Sequence, residues 1–294
     1  MSRPSYYEST ARQRVAGVLD AGSFAEMLPP TARLTSPHLA ALDIPVAFDD
    51  GVVVGRGTLG GRAVLLAAQE GGFLGGAVGE IHGAKIVGLL ERAQRERPAG
   101  VLLLADSGGV RLQEPGAGLI AVAEIIRAIL ATRAAGVAVI AAIGGACGCF
   151  GGMGIAVSCC SSLVMSEEGR LGLSGPDVIE MQSGAEEFDA RDRGLVWRTT
   201  GGKHRYLLRD CQQLVDDSVA GFRAGLVAAL DDGEMLSLDA VEREHALLAR
   251  RLAAFGTAND AVDVWRALGW PNPEAVPLAP TDVFIAQART LRAA

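Results

Sequence analysis

The sequence has 294 residues, 49% of them hydrophobic and 21% charged, with a formal net charge of −7 at neutral pH. That length supports one large domain or two modest ones with a buried core, and the balance is that of a folded chain rather than a disordered one. An acidic chain without a Lys/Arg cluster argues against nucleic acid as a partner, and the lack of a leader-like N-terminus or of any unbroken apolar run beyond residues 137–143 argues against export or a membrane.

Residues 1–44 read as an N-terminal helical arm. Residues 11–19 have helical periodicity, a break follows at residues 20–23, and residues 24–28 form a short second helical piece before Pro29-Pro30. From Pro45 the pattern changes to short β-branched runs. Residues 46–48 and 52–56 flank Asp49-Asp50-Gly51, a hairpin signal, and residues 63–68 follow a second turn at Gly60-Gly61. A helix is expected over residues 79–97, an apolar strand over 101–105, a helix over 118–135 and another apolar strand over 137–143. A helix starts near Gly151, and short strands are expected at 163–166 and 171–173. Strands apolar on both faces and separated by helices indicate parallel βαβ units. Residues 206–230, 238–255 and 258–268 read as helices. The main domain then spans residues 45–255, and residues 256–294 form a C-terminal helix and tail that would pack on a partner.

Four of the five cysteines, Cys147, Cys149, Cys159 and Cys160, lie in one apolar stretch. Their spacing does not fit a zinc site, so no metal is expected, and they read as reduced, small hydrophobes in a cytoplasmic protein.

Three glycine-rich segments fall at strand ends or helix starts: residues 71–76, residues 106–111 and residues 144–154. Ligands of open parallel sheets bind beyond the carboxyl ends of the strands, and helix N-termini there offer unpaired N–H groups. The phosphate loops do not fit. Gly202-Lys203 is followed by His204 rather than Ser or Thr, and none of these three segments has the G-x-G-x-x-G spacing. Gly172–Pro176 fails the G-x-S-x-G pattern at its last position, and Ser174 has no visible His–Asp support. Two glycine pairs on successive turns, Gly108-Gly109 and Gly151-Gly152, can supply N–H groups to one oxygen and form an oxyanion hole. The plain alternative is that these glycines make tight turns.

The segment Asp106-Ser107-Gly108-Gly109-Val110-Arg111-Leu112-Gln113-Glu114 resembles the S-G-G-A-R-x-Q-E signature of the acyl-CoA carboxyltransferases, a family of the crotonase superfamily. Residues 71–80 resemble that family's F-M-G-G-S-M-G segment, and Phe150-Gly151-Gly152-Met153-Gly154 sits where the family carries its second glycine pair. Within the family, residues 172–180 and the acidic stretch 186–193 resemble the beta subunits of biotin-independent malonate decarboxylases; the likeness runs from about residue 45 to about residue 230. The chain lacks the four-cysteine zinc ribbon of the bacterial acetyl-CoA carboxylase beta subunit and the A-M-K-M biotin-attachment motif.

The resemblance implies an α/β, crotonase-like (ClpP/crotonase) spiral of ββα units with flanking N- and C-terminal helices. It implies decarboxylation of a malonyl thioester, carried on a phosphopantetheine-type group of a separate acyl carrier protein, through an enolate held by main-chain donors. Catalytic donors are then expected at Gly108, Gly109, Gly151 and Gly152, and substrate contacts at Gly75, Gly76, Ser107, Arg111, Ser174 and Gly175. No biotin is expected. A second carboxyltransferase-like (gamma) subunit is the implied partner, holding the other half of the site.

Several side chains have competing readings. Arg111 and Glu114 suit an i,i+3 ion pair as well as a substrate role. His82 is a possible proton donor or a plain surface or helix-start histidine. Lys85 and Arg92 suit a phosphate or a solvated helix face. Glu167 and Glu168 would serve a hydratase. Two rival functions remain: the carboxyltransferase half of a biotin-dependent carboxylase, and a non-catalytic partner that shapes another chain's site.

Overall fold

The computed structural model, which describes residues 4–233 and 235–292, gathers the apolar runs into a seven-stranded sheet with strands in sequential order. They are β1 (Ala25–Met27), β2 (Val52–Leu59), β3 (Arg62–Gln69), β4 (Gly100–Ala105), β5 (Val139–Ile143), β6 (Ser162–Ser166) and β7 (Gln213–Val215). The first three pair antiparallel and the remaining pairs are parallel. Every residue of β4, β5 and β6 is buried, as parallel strands covered on both faces require.

The helices are α1 (Ala11–Val18), α2 (Pro37–Ala41), α3 (Glu80–Glu96), α4 (Pro115–Ala134), α5 (Gly151–Ser158), α6 (Pro176–Ser183), α7 (Arg193–Thr200), α8 (Gly202–Leu207), α9 (Val219–Asp231), α10 (Leu238–Phe255), α11 (Ala261–Ala267) and α12 (Thr281–Arg292). One core joins α3, α4 and α5 to the sheet through Ile86, Leu90, Ile125, Ile129, Met153 and Leu103. The other packs Val15 of α1 and Phe222 of α9 against Leu66, Leu102 and Ile140. Alternate strand residues feed the two cores, as the two-residue side-chain period dictates. Helix α4 is long and apolar enough, by length and composition, to cross a membrane. Here its Val122, Ile125, Ala128 and Ile129 are buried in the core, while Glu124 and Arg127 form an ion pair on its outer face.

Several local readings change. Residues 25–27 form an edge strand paired with β2 rather than a helix. The hairpin closes at Gly60-Gly61, both with positive φ (58° and 76°), and residues 46–48 are not a strand. Left-handed φ at both central positions matches the strand twist; Asp50 and Gly51 also have left-handed φ (55° and 74°), but residues 46–48 before them pair with no strand, so that turn closes no hairpin. Residues 206–230 are not one helix: α8 ends at Leu207, β7 intervenes, and α9 starts behind the Ser218 cap. Residues 171–173 contribute a single bridge, Cys149 with Leu171, in place of a strand.

Beyond the carboxyl ends of the parallel strands runs a second, smaller ladder. Val78 bridges Val110, Ser107 bridges Cys149, and Cys149 bridges Leu171. This ladder sets the glycine turns side by side.

Candidate active site

The main-chain bonds of the small ladder fix the three glycine segments against one another. Gly108 N–H donates to Gly75 O (2.9 Å), Val78 N–H to Gly109 O (2.8 Å) and Arg111 N–H to Val78 O (2.9 Å). Ser107 N–H donates to Gly148 O (2.7 Å), and Phe150 N–H returns a bond to Ser107 O (2.9 Å). Gly151 N–H donates to Leu173 O (2.9 Å), which draws the loop carrying Ser174 and Gly175 onto the same surface.

The two glycine pairs touch through their backbones. A Cβ at Gly109, where φ is 122°, would lie 3.4 Å from Gly151 Cα; one at Gly151, where φ is 56°, would lie 3.2 Å from Gly109 Cα. Glycine is required at both, because the conformation is left-handed and a neighbouring main chain occupies the space of a side chain. Gly76 is tighter still: φ is 63° and a Cβ would sit 1.8 Å from Asp106 O.

The amides of the four proposed donors divide. Those of Gly108 and Gly151 are spent on the carbonyls of Gly75 and Leu173. Gly109 N–H rests on Ser107 Oγ at 3.2 Å. Gly152 stands in the first turn of α5, where N–H groups lack intrahelical acceptors. Among the described residues, no hydrogen-bond partner accompanies the N–H of Gly152, of Met153 or of Val110. The first turn of α5 also carries the positive end of its dipole.

Asp106, at the end of β4, braces these turns. Its carboxylate accepts from Cys147 N–H (2.7 Å) and from Arg14 of α1 (2.8 Å). Burial pushes its pKa up and the Arg14 guanidinium opposes this. A Cβ at Gly145 would meet the same carboxylate at 2.2 Å. The strand-end Asp106 is thus held from both sides, and Arg14 was the missed residue. Its signal lay in the sequence: it shares the buried stripe of Ala11, Val15 and Val18.

Arg111 does not face a substrate, which corrects the substrate-binding expectation. It is fully buried and paired with Glu114 at 2.7 Å and Asp50 at 3.1 Å. Asp50 also accepts from Ser36 and His82 main-chain N–H, while Glu114 accepts from Ser36 Oγ and Glu80 N–H. Burial raises the Asp50 carboxyl against the pull of Arg111. For Glu114, burial again acts upward, but hydrogen bonds from Ser36, Glu80 and Arg111 carry it below its ordinary value. A guanidinium so enclosed leaves no face for a ligand. It fixes the starts of α3 and α4 beneath the glycine turns.

The surface reading of His82 is likewise corrected. The ring is buried, with Nδ1 near Asp50 O (3.1 Å) and Nε2 near Gln69 (3.0 Å). Burial and the nearby Arg111 charge bring its pKa down to about 3, so it is neutral at pH 7. Lys85 is neither solvated nor open to a phosphate; its ammonium is buried on the carbonyls of Asp49 and Val52. Arg92 pairs with Glu96 on the helix surface, and Glu167 is tied to Lys203 at 2.8 Å. Ser107 is buried under the Gly109 turn, while Gly75 is exposed and Ser174 and Gly175 are half-exposed. Around the rim, Leu112, Leu119, Ile120, Ile155, Leu173 and Met181 are exposed.

A carboxyl transferase domain model matches residues 7–213. The chain is 39% identical to the malonyl-S-ACP:biotin-protein carboxyltransferase of Malonomonas rubra, over 98% of this chain and 97% of that one. It is 34% identical to the propionyl-CoA carboxylase beta chain of Saccharopolyspora erythraea over 68% of its length, and spans 36% of that protein. Among solved structures, a chain of a Pseudomonas malonate decarboxylase hetero-tetramer in complex with malonate superposes with a TM-score of 0.84 at 43% identity, covering 90% of this chain and 98% of that one. A chain of the Pseudomonas malonate decarboxylase MdcD-MdcE hetero-dimer matches with a TM-score of 0.68 at 39% identity, covering 85% and 97%.

Proposed function

The chain belongs to the carboxyl transferase family, as a malonate decarboxylase-like subunit with the crotonase fold, and from that premise we propose that it decarboxylates a malonyl thioester held on an acyl carrier protein. The observation that carries this reading is the backbone contact between the Gly109 and Gly151 turns, with unpartnered amides beside it at Val110, Gly152 and Met153. In the proposed step the bond from the α-carbon to the carboxylate breaks and CO₂ leaves. The electron pair moves into the thioester, and charge gathers on its oxygen as an enolate. An amide from each turn holds that oxygen, and the α-carbon then takes a proton from an acid. A single such donor contributes roughly 10²–10³ in rate.

Because Gly108 and Gly151 N–H are internally bonded, the donor role falls to Gly152, with Met153, on one side and to Gly109 or Val110 on the other. Gly75, Ser174 and Gly175 line the same surface and suit contacts to the acyl arm. The acid is assigned to a partner subunit, since His82 is buried and neutral. The apolar rim of Leu112, Leu119, Ile120, Ile155 and Met181 suits a second carboxyltransferase-like subunit; exposed apolar patches of this kind mark interaction sites. The phosphopantetheine-type arm would reach the turns between the two subunits, in the cytoplasm and without biotin.

The Malonomonas rubra relative favours a second reading, in which the carboxyl group passes to a biotin protein. The test is CO₂ release from a malonyl thioester by the chain assembled with its partner, with and without avidin. Release unaffected by avidin is expected. Abolition by avidin assigns the biotin reading, and an assembled complex that neither releases nor transfers CO₂ overturns both.

A further inference from the structure

The three glycine segments meet at one side chain. Asp106 follows the last residue of β4, and its carboxylate lies against Gly71 of the first segment, where a Cβ would come within 2.6 Å of Oδ2, and against Gly145 of the third, where a Cβ would overlap it. Its Oδ1 accepts from Cys147 N–H at 2.7 Å and its Oδ2 from Arg14 at 2.8 Å. Arg14 is buried; its other nitrogens rest on the carbonyls of Tyr6 (3.0 Å) and Tyr7 (3.3 Å), and its guanidinium lies over the Tyr6 ring. Glu70 joins the same pieces from the side, accepting from Ala11 N–H at the head of α1 and from Gly72 N–H. A buried ion pair is a poor source of stability, since an apolar pair of like volume commonly does as well. What an apolar pair would not supply is an acceptor for Cys147 N–H.

That acceptor holds the segment leading to the second turn. Residues 147–150 hang from the end of β4 by three bonds: Cys147 N–H to Asp106 Oδ1, Ser107 N–H to Gly148 O and Phe150 N–H to Ser107 O. The last two join main chain to main chain, whatever the side chains. The first depends on the Asp106 side chain and fixes the end remote from α5, so the segment cannot tilt about the other two. Phe150 leads directly into Gly151, the first residue of α5, and thus into the unpartnered amides of Gly152 and Met153. We propose that Asp106, held by Arg14, is a positioning residue: it fixes the α5 amides against the Gly109 turn and so sets the width of the enolate hole, a role that rests on the reaction proposed above. Through Arg14 the N-terminal arm then takes part in catalysis without touching substrate.

The test is made on the chain assembled with its partner, with assembly and melting temperature recorded for every variant. Asp106→Leu with Arg14→Met removes the acceptor without leaving a buried charge. It should lower kcat for release or transfer of CO₂ by about 10- to 10²-fold with KM within about twofold, because the hole acts on the enolate and not on the bound thioester. Asp106→Asn with Arg14→Met restores an acceptor of the same shape and should recover kcat to within about threefold of the unsubstituted complex. Gly145→Ala leaves both residues in place but pushes the carboxylate aside; it should repeat the leucine signature and serves where the leucine pair does not assemble. Adding the leucine pair to Gly152→Pro, with Val122→Ala to make room, should cost no more than about threefold further, because a hole already lacking its amide has little left to misplace. Equal kcat for the leucine and asparagine pairs, a Gly145→Ala chain that assembles and turns over at the full rate, or a loss that multiplies in full with Gly152→Pro overturns the positioning role and leaves the reaction standing. An unsubstituted complex that neither releases nor transfers CO₂ overturns the reaction, and the positioning role with it.

Discussion

Gly152 gives the sharpest test of main-chain catalysis, because one substitution removes its N–H while the rest of the turn stays in place. Proline is tolerated in the first turn of a helix, where the N–H has no intrahelical acceptor, and Gly152 occupies the second position of α5. Proline also adds a Cβ, and a Cβ there would lie 2.8 Å from Val122 Cγ1. Such overpacking costs about 1–3 kcal/mol and would confuse the result. Gly152→Ala adds the same Cβ and keeps the N–H, and Val122→Ala clears the space for both. The comparison is therefore Gly152→Pro against Gly152→Ala, each with Val122→Ala. If the amide holds the enolate oxygen, the proline variant loses about 10²–10³ in kcat, roughly 3–4 kcal/mol, while the alanine variant stays within about threefold of Val122→Ala. The assay is single-turnover CO₂ release from a malonyl thioester by the assembled complex, with assembly and melting temperature measured alongside. Equal rates for two variants that assemble and melt alike would refute the role of this amide, and with it the proposed oxyanion hole.

Three further outcomes follow from the buried groups. Arg111→Leu leaves Asp50 and Glu114 as uncompensated buried carboxylates and should cost about 3–5 kcal/mol, read from urea unfolding of the full chain. Gly76→Ala combines a left-handed φ with a Cβ 1.8 Å from a carbonyl oxygen; it should lose roughly 2–5 kcal/mol by the same measurement, whereas Gly75→Ala, with open space around it, should lose only the cost of its left-handed φ, about 1–2 kcal/mol. His82 and His204 both have pKa values lowered to about 3 by burial, so the unfolded chain binds their protons more readily than the folded one. Stability should therefore fall as pH drops from about 6.5 toward 3, by up to about 1.4 kcal/mol per pH unit for each ring, and His82→Gln should flatten that slope.

The parallel part of the fold was legible because its signal is redundant. Residues 101–105 and 137–143 are apolar throughout, as strands buried on both faces must be, and the helices between them end at plain breakers such as Pro98-Ala99-Gly100. What escaped was set by tertiary context. Residues 25–27 become a strand because β2 presents an edge to them. Gln213–Val215 becomes β7 because Val164, Met165 and Ser166 of β6 offer a parallel ladder. Three residues carry too little periodicity to announce either. The buried lysine at residue 85 was equally hidden, since a helix pattern cannot tell that a terminal ammonium ends on the carbonyls of Asp49 and Val52.

The candidate site was legible in part for a different reason. A motif such as Ser107-Gly108-Gly109-Val110-Arg111 reads as one unit, yet its residues do unlike things. Arg111 and Glu114 point inward and meet Asp50; Ser107 sits below the turn; the exposed surface is backbone at Gly108, and Gly109 is needed for its φ of 122°. Side-chain chemistry can be inferred from residue type, but the direction of an amide depends on the dihedral before it, which residue type does not encode at glycine. The glycine pairs therefore marked where main-chain donors would gather without marking which N–H is free. The internal bonds of Gly108 and Gly151 decide that point, since an amide already bonded to a carbonyl has to give up that bond before it can hold an enolate. The donors that need no such exchange are those whose carbonyl partners are absent by geometry, at the first turn of α5 and at Val110, and a loss of rate confined to them would separate catalysis from mere turn formation.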